Sequence, residues 1–579
     1  MARRVALSRR DFLKLTAVGA GAMAVSGCLW GSQQTQVTPA SPNSILYQKT
    51  PPSPPGGVPD LIIHNAKILT VDASDSIAEA VAVKSGRIQA VGTNDIIVPQ
   101  ADGSTRMMDL GGKVLTPGLI DPHFHLAVIS LMNSWEAFPL EIDTIEALVE
   151  GLTVVAAEYE PGEWIQGYFE SGFGNGLPDR YDLDEATSQH PIFISHRGGH
   201  LGVANSMALD LAQIGQNYES PMGGIIELDD DGVPTGRFYN HRAMNVLRAA
   251  IPARSNDNLL NDIRDQSVPA SVGITTFHDV YVHDPNTIAA YYSVGRAGEM
   301  TVRGALYPTL ENPGEVPYAL DLAPYQDDYF RLGGFKLQID GQIPTAYTYE
   351  PHVGVSWNMP AWDADIFKET VRQLHEAEHQ ICVHCFGDAA IDLTLDAFEE
   401  AMDAHPRSDP RHRIEHYLVP TEEAIQRTRD LGIIASVSSS FIPQAGEAYI
   451  ATFGDRRCER LLPARSLLDA GAVVTLNSDY PTTYWAAPMM AMSAAMQRIS
   501  NMGNPISIEQ AITFTEALRA HTLAPAFAGF EETEKGSVEA GKLADFAVWT
   551  NDPTAMSAAE LAEATVDTTI VGGEVVYQA

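Results

Sequence analysis

Eight short apolar runs constrain this chain more than any other feature. They are GLIDPHFH (118–125), GITTFHDV (273–280), TVRGALY (301–307), GFKLQID (334–340), ICVHCFG (381–387), RIEHYLV (413–419), GIIASVS (432–438) and VVTLNSD (473–479). Helix-like segments such as DADIFKETVRQLHEAEHQ and TEEAIQRTRDLG lie between most of them. From the second run onward, successive starts are about 20 to 50 residues apart, the spacing that βα units require. The expected fold is therefore α/β, a (β/α)8 TIM-type barrel. The first gap, from residue 118 to 273, exceeds one unit by roughly 120 residues. Residues from about 130 to 265 are expected to form an insertion over the barrel mouth. It has strands of its own in EWIQGYFE and PIFISHRGG.

The 579 residues are too many for one ordinary domain. DLIIHNAKILTVD, AVAVKSGRIQAVG and GGKVLTPGLID read as short antiparallel strands broken by Gly, Asn and Asp. Similar runs return in GKLADFAVWT and TTIVGGEVVYQA. The expectation is a composite β-sandwich from 60–117 and 522–579, flanking a barrel over 118–521. Ahead of it, SRRDFLK (Ser8–Lys14) reads as a twin-arginine export signal followed by a short apolar run ending in VSGC. That run is too short to span a bilayer. Residues 1–27 are expected to be a signal peptide, cut before Cys28. Cys28 would then carry a lipid that tethers the chain to a membrane surface in the cell envelope. Residues 28–59, rich in Pro and Ser, read as an extended tether.

Acidic residues outnumber basic ones 74 to 37, for a formal charge of -37. Such a field repels nucleic acid, which is set aside as a partner. A saline habitat and GC-rich codon usage both account for an acidic chain with few lysines.

Alternation along the strands sorts side chains by face. His123 and His125 are two apart and share one. Lys336, Gln338 and Asp340 share the inward face of the fourth run. An inward lysine has two readings. One is an ion pair with Asp340. The other is a free amine that takes up carbon dioxide, and the resulting carbamate bridges two metals. In ICVHCF, His384 and Cys382 point inward, whereas Cys385 points into the helix layer. Two cysteines on opposite faces of a strand neither form a disulfide nor share a metal, so the strand offers one inward histidine. His416 ends the sixth run and Asp479 the eighth. Arg413 and Glu415, of opposite parity to His416, are expected to face the helices. His123, His125, Lys336, His384, His416 and Asp479 thus fall near the C-terminal ends of barrel strands one, one, four, five, six and eight. Barrel active sites lie at those ends, and imidazole with carboxylate suits a borderline divalent metal such as Zn²⁺.

With these residues in place, the chain resembles the amidohydrolase superfamily, with LTPGLIDPHFHL as its H-x-H signature. More narrowly it is similar to the amidohydrolase-3 branch, which includes N-substituted formamide deformylase-like proteins. That likeness rests on RYDLDEATSQHPIFISHRGGHLGVANSMAL (180–209), GGIIELDDDGVPTGRF (223–238), FKLQIDG (335–341), HCFGDAAID (384–392), HRIEH (412–416) and SDYPTTYW (478–485). It covers nearly everything from Asp60 onward. The resemblance implies a metal-bearing barrel with a composite β-sandwich, and metal roles for His123, His125, Lys336, His384, His416 and Asp479. It departs at GYFESGFGNGLPDR, where relatives often carry a Trp- and Asp-rich stretch.

The implied reaction is hydrolysis at a carbonyl carbon, most readily of a C–N bond in a small-molecule amide, formamide or cyclic amide. One or two divalent ions, Zn²⁺ first among them, activate a water. Asp479 passes its proton to the leaving nitrogen, and the metal with an inward histidine, His384, polarises the carbonyl. His200 in the insertion and His278 on the second run are candidate substrate contacts; His278 reads equally well as core filling. The same site suits another bond, such as an ester or a deamination, and the export signal alone suits a solute-binding lipoprotein. A homodimer remains open.

Overall fold

A computed structural model of the chain describes Leu46 and residues 49–133, 144–169, 176–352 and 358–579. The twin-arginine segment, Cys28 and most of the tether lie outside the described residues, as does 170–175 of the divergent stretch. Among the described residues no helix is long and apolar enough to cross a membrane.

The eight runs form eight parallel strands: Leu119–Phe124, Ile274–Val282, Arg303–Leu310, Phe335–Gln338, Ile381–Cys385, Arg413–His416, Ile434–Val437 and Val473–Leu476. They are hydrogen-bonded side by side in chain order, from first to eighth. The eighth returns to the first through backbone. Asp479 N–H donates to the His123 carbonyl at 3.1 Å, and Ser478 N–H donates to the buried Asp121 carboxylate at 3.2 Å. A short strand not expected from the sequence, Phe330–Leu332, lies beside the third.

Register explains which side chains enter the barrel. Lys336 pairs with Cys382 and Cys382 with Arg413; Gln338 pairs with His384 and His384 with Glu415. Residues level with each other in parallel strands share a face. Lys336, Cys382 and Arg413 therefore form one inward layer, and Gln338, His384 and Glu415 the next. This corrects the expectation that Arg413 and Glu415 face the helices. Parity failed because His416 leaves the strand conformation, with φ +68°. That twist turns the His416 side chain inward directly after Glu415.

The outward set builds the main core. Phe335, Leu337, Ile381, Val383, Cys385 and Ile414 are all buried against the helix layer. One covering helix, Ala364–Glu376, starts because the Asp363 carboxylate accepts from the N–H groups of Asp365 and Ile366. It buries Phe367, Val371 and Leu374, spaced for one helical face. Each such side chain contributes about 1.5–3 kcal/mol relative to leaving it in water.

The sandwich pairs two sheets. One holds Leu61–His64, Ala80–Lys84, Arg87–Gly92 and Arg106–Asp109; the other joins Lys67–Leu69, Ile77–Ala78 and Val114–Pro117 to Phe546–Trp549, Val566–Val571 and Glu574–Gln578. Leu61, Ile63, Val81 and Val83 meet Leu115, Phe546, Val548 and Ile570 between them. Its C-terminal strands begin at Phe546, later than the expected 522. The segment Leu523–Ala528 is a helix, and Leu523, Ala524 and Phe527 pack into the barrel core instead.

The insertion carries a five-stranded sheet in the order Ile225–Leu228, Pro234–Tyr239, Leu201–Ala204, Ile192–His196, Ile165–Phe169. Alternate residues give it two separate cores. Ile192, Ile194 and Val203 pack on one face, and Phe193, Ala204 and Phe238 on the other.

Candidate metal centre

The barrel mouth and the insertion together line a cavity of about 500 Å³. His123, His125, Lys336, His384, His416 and Asp479 all line it, with His200 and His241 from the insertion. His125 Nε2 stands 2.9 Å and His123 Nε2 3.5 Å from Asp479 Oδ1. One ligand atom from each of these three residues lies within 4.8 Å of the others.

Three of the histidines are anchored through Nδ1. His123 Nδ1 meets Glu415 Oε2 at 2.6 Å, His384 Nδ1 meets Asp340 Oδ1 at 3.1 Å, and His416 Nδ1 meets Ser438 Oγ at 2.9 Å. A carboxylate can only accept, so His123 and His384 carry their proton on Nδ1. The Ser438 hydroxyl spends its hydrogen on Asn477 Oδ1, 2.9 Å away, because Asn477 Nδ2 is turned to Ser436. Ser438 Oγ is then an acceptor for His416 as well. All three rings keep an Nε2 lone pair for the cavity. Burial keeps them neutral: it holds His123 and His416 well below the usual imidazole range and pushes His384 down to about 3. His384 Nε2 and His125 Nδ1 are buried with no hydrogen-bond partner.

Neutral imidazoles held from behind, a shared carboxylate and unsatisfied nitrogens at the floor are the donor set a borderline divalent cation takes. The residues present fit such an ion.

Lys336 is buried on the same floor, and burial pushes its ammonium toward the free amine. It makes no hydrogen bond or ion pair among the described residues. The ion pair with Asp340 does not form. Asp340 instead accepts from the N–H groups of Tyr347, Phe386 and Gly387 and from His384.

A model of the amidohydrolase family matches residues 106–577. The chain belongs to this family. It is 31% identical over 554 residues to N-substituted formamide deformylase of Arthrobacter pascens, covering 90% of this chain and 98% of that one. It is 25% identical to the putative amidohydrolase YtcJ of Bacillus subtilis, over 89% and 99% of the two chains. An uncharacterized metal-dependent hydrolase from Pyrococcus horikoshii shares the fold, with a TM-score of 0.69 at 22% identity, over 86% of this chain and 99% of that one.

Within the amidohydrolase barrel the two candidate substrate contacts part company. The ring of His200 lies 5.1 Å from that of His384, at the cavity wall. His278 is not at the cavity. Its Nδ1 meets Arg413 at 3.0 Å, and its ring centroid lies 5.5 Å from that of Tyr307, tilted by 36°. It is fully buried and does not line the cavity, so His278 fills core.

The sequence reading missed four residues here. Glu415 and Arg413 were hidden by the twist at His416. His241 and Tyr281 gave no motif. His241 opens the helix His241–Arg248 directly after Asn240, whose φ is +70°. Together the rings close a circle around the cavity floor: His123, His125, Tyr281, His241, His200, His384, His416 and back to His123. Successive centroids are 5.1, 6.0, 4.9, 4.4, 5.1, 4.5 and 4.6 Å apart.

Proposed function

We propose that this amidohydrolase cleaves the C–N bond of a small-molecule amide with the help of one or two divalent metal ions, and that N-substituted formamides belong to its substrate class. The observation that carries this reading is the floor itself, with three imidazoles locked with Nε2 facing one cavity beside Asp479. The formamide deformylase, 31% identical along 98% of its length, supports the bond type.

His123, His125, His384, His416 and Asp479 would hold the metal, with Zn²⁺ the ion that best suits the set. Lys336, as a carbamate, would supply two bridging oxygens if a second ion binds. The metal would supply an acidified water and a Lewis acid for the carbonyl. The chain does the rest. Asp479, fixed by His125, takes the attacking water's proton and returns it to the leaving nitrogen. His384 faces the carbonyl from the fifth strand. Glu415, Asp340 and Ser438 keep the imidazoles from rotating as charge shifts.

The test is metal analysis of purified protein, then a panel of N-alkyl formamides, N-acyl amines, cyclic amides and esters before and after chelation. Chelator-sensitive release of amine from formamides is expected. Turnover of esters or loss of ring amino groups with no amide cleavage would move the reading to another bond on the same site.

The twin-arginine segment and VSGC support an exported, lipid-anchored form. Labelled palmitate should enter the wild type and not Cys28→Ala; equal labelling would remove the anchor.

A further inference from the structure

Resting on the proposed amide hydrolysis, we infer that His241, contributed by the insertion, is a catalytic hydrogen-bond donor: its Nε2–H holds the carbonyl oxygen of the substrate as that oxygen becomes an oxyanion.

Tyr281 decides which nitrogen of His241 carries the proton. Burial holds the phenol protonated, and among the described residues His241 Nδ1 is the one hydrogen-bond partner its hydroxyl has. Its one hydrogen therefore goes to His241 Nδ1, 3.0 Å away. An imidazole that accepts at Nδ1 carries its proton on Nε2. Burial keeps the ring uncharged, well below the usual imidazole range. His241 lines the cavity, and no described residue takes a hydrogen bond from its Nε2.

The position fits the task. In the circle of rings, His241 and Tyr281 stand across from His123 and His416, so the substrate lies between the floor and this donor. His200, its neighbour at 4.4 Å, is the other candidate, but among the described residues no hydrogen bond fixes its tautomer. Its unpaired Nδ1 faces Gly341, where an added Cβ would sit 2.7 Å from it. His200 spaces His241 from His384.

The electron count closes. Water oxygen bonds to the carbonyl carbon, and its proton goes to Asp479. The C=O π pair moves onto oxygen, where His241 Nε2–H holds it. On collapse that pair re-forms C=O, the C–N bond breaks, and nitrogen leaves with the proton from Asp479. His241 gives up no proton at any stage, so a donor of fixed direction is sufficient.

The experiment uses the metal-loaded full chain, N-butylformamide as substrate and pentylphosphinate as a tetrahedral probe with no scissile C–N bond. His241→Leu should lower kcat roughly 10²- to 10³-fold with KM within about threefold. His241→Gln, whose amide N–H reaches the Nε2 position, should recover at least tenfold of that loss. Tyr281→Phe frees the tautomer and should lower kcat about tenfold at unchanged KM. By calorimetry, His241→Leu should weaken phosphinate binding in step with kcat, whereas His241→Gln should not. A His241→Leu enzyme with kcat near wild type overturns the inference. So does phosphinate binding equal in Leu, Gln and wild type. If the wild type cleaves no C–N bond, the proposed function fails, and the phosphinate comparison still decides the role of His241.

Discussion

Glu415 Oε2 stands 2.6 Å from His123 Nδ1, and both side chains are sealed from solvent. The other carboxylate oxygen accepts from Arg413 Nε at 2.8 Å. Arg413 in turn donates to the Pro122 carbonyl and stacks on Tyr307. One buried ion pair thus sets the direction of the first metal-type histidine. Glu415→Gln keeps the shape but puts an amide N–H against one of two donors. Metal affinity should fall about 10- to 100-fold with the fold intact, as read by metal titration with circular dichroism. Unchanged affinity would reduce Glu415 to a counter-ion for Arg413. Arg413→Met, which strands a buried carboxylate, should cost about 3–5 kcal/mol of stability.

His123→Ala and His125→Ala each remove a nitrogen from the group that surrounds Asp479. Bound metal should drop and hydrolysis should vanish while the barrel stays folded, because both changes leave the outward core and the Arg413–Glu415 pair in place. Full activity at normal metal content in either variant would end the assignment of the floor.

Lys336 lies on that floor with no partner among the described residues, since Asp340 is fully engaged by backbone N–H groups and His384. A bare ammonium there would repel the metal. Intact-mass measurement of the metal-loaded protein should show an added carbon dioxide, lost on acidification. Lys336→Ala should lose most of its rate and regain part of it with short carboxylic acids, which replace the bridging oxygens. An unmodified lysine in a fully active enzyme would leave a one-metal centre.

A pH dependence follows from His412, behind the barrel. Its Nδ1 accepts the Ile381 N–H at 3.1 Å, and its Nε2 bonds His375 Nδ1 at 2.8 Å, so it must stay neutral when folded. Burial, then neighbouring His375 and Arg407, holds its pKa well below 6.5. Below about pH 6.5 the unfolded chain binds a proton at this site that the folded chain refuses. Stability is therefore complete above that pH and falls as pH drops, by at most about 1.4 kcal/mol per pH unit for this group. Urea unfolding of metal-free protein at three pH values should show a shallower loss in His412→Gln than in the wild type. Parallel slopes would disprove the linkage.

Cys382 and Cys385 should stay reduced. Cys382 packs inside the barrel beside Val280, Ala305 and Tyr307, while Cys385 lies in the helix layer with Sγ 3.2 Å from Thr394 Oγ1. Burial raises both thiols, Cys382 to about 12, so neither offers a thiolate. Cys385→Ala should leave metal content unchanged; metal loss there would contradict the strand geometry.

The barrel was legible because strand alternation and βα spacing are local properties of the chain. The same alternation gives Lys336, Cys382 and His384 one face and Cys385 the other. It failed one residue past Glu415, where a left-handed φ at His416 reverses the side chain and no sequence pattern marks the reversal. His241 and Tyr281 were illegible for another reason. They come from an insertion and a strand 40 residues apart, and only the folded chain brings phenol and imidazole together. His278 shows the limit of parity on the correct face: alternation gives inward or outward, never the depth along the barrel axis.

The circle of rings is stitched from two materials. Five of its members stand on barrel strands, and two stand on a layer that carries its own pair of cores. Mutations that reshape the layer can therefore accumulate without loosening the floor. Changes in the layer can alter what the chamber admits while the strands keep the floor in place, and His241 is the point where the two materials meet.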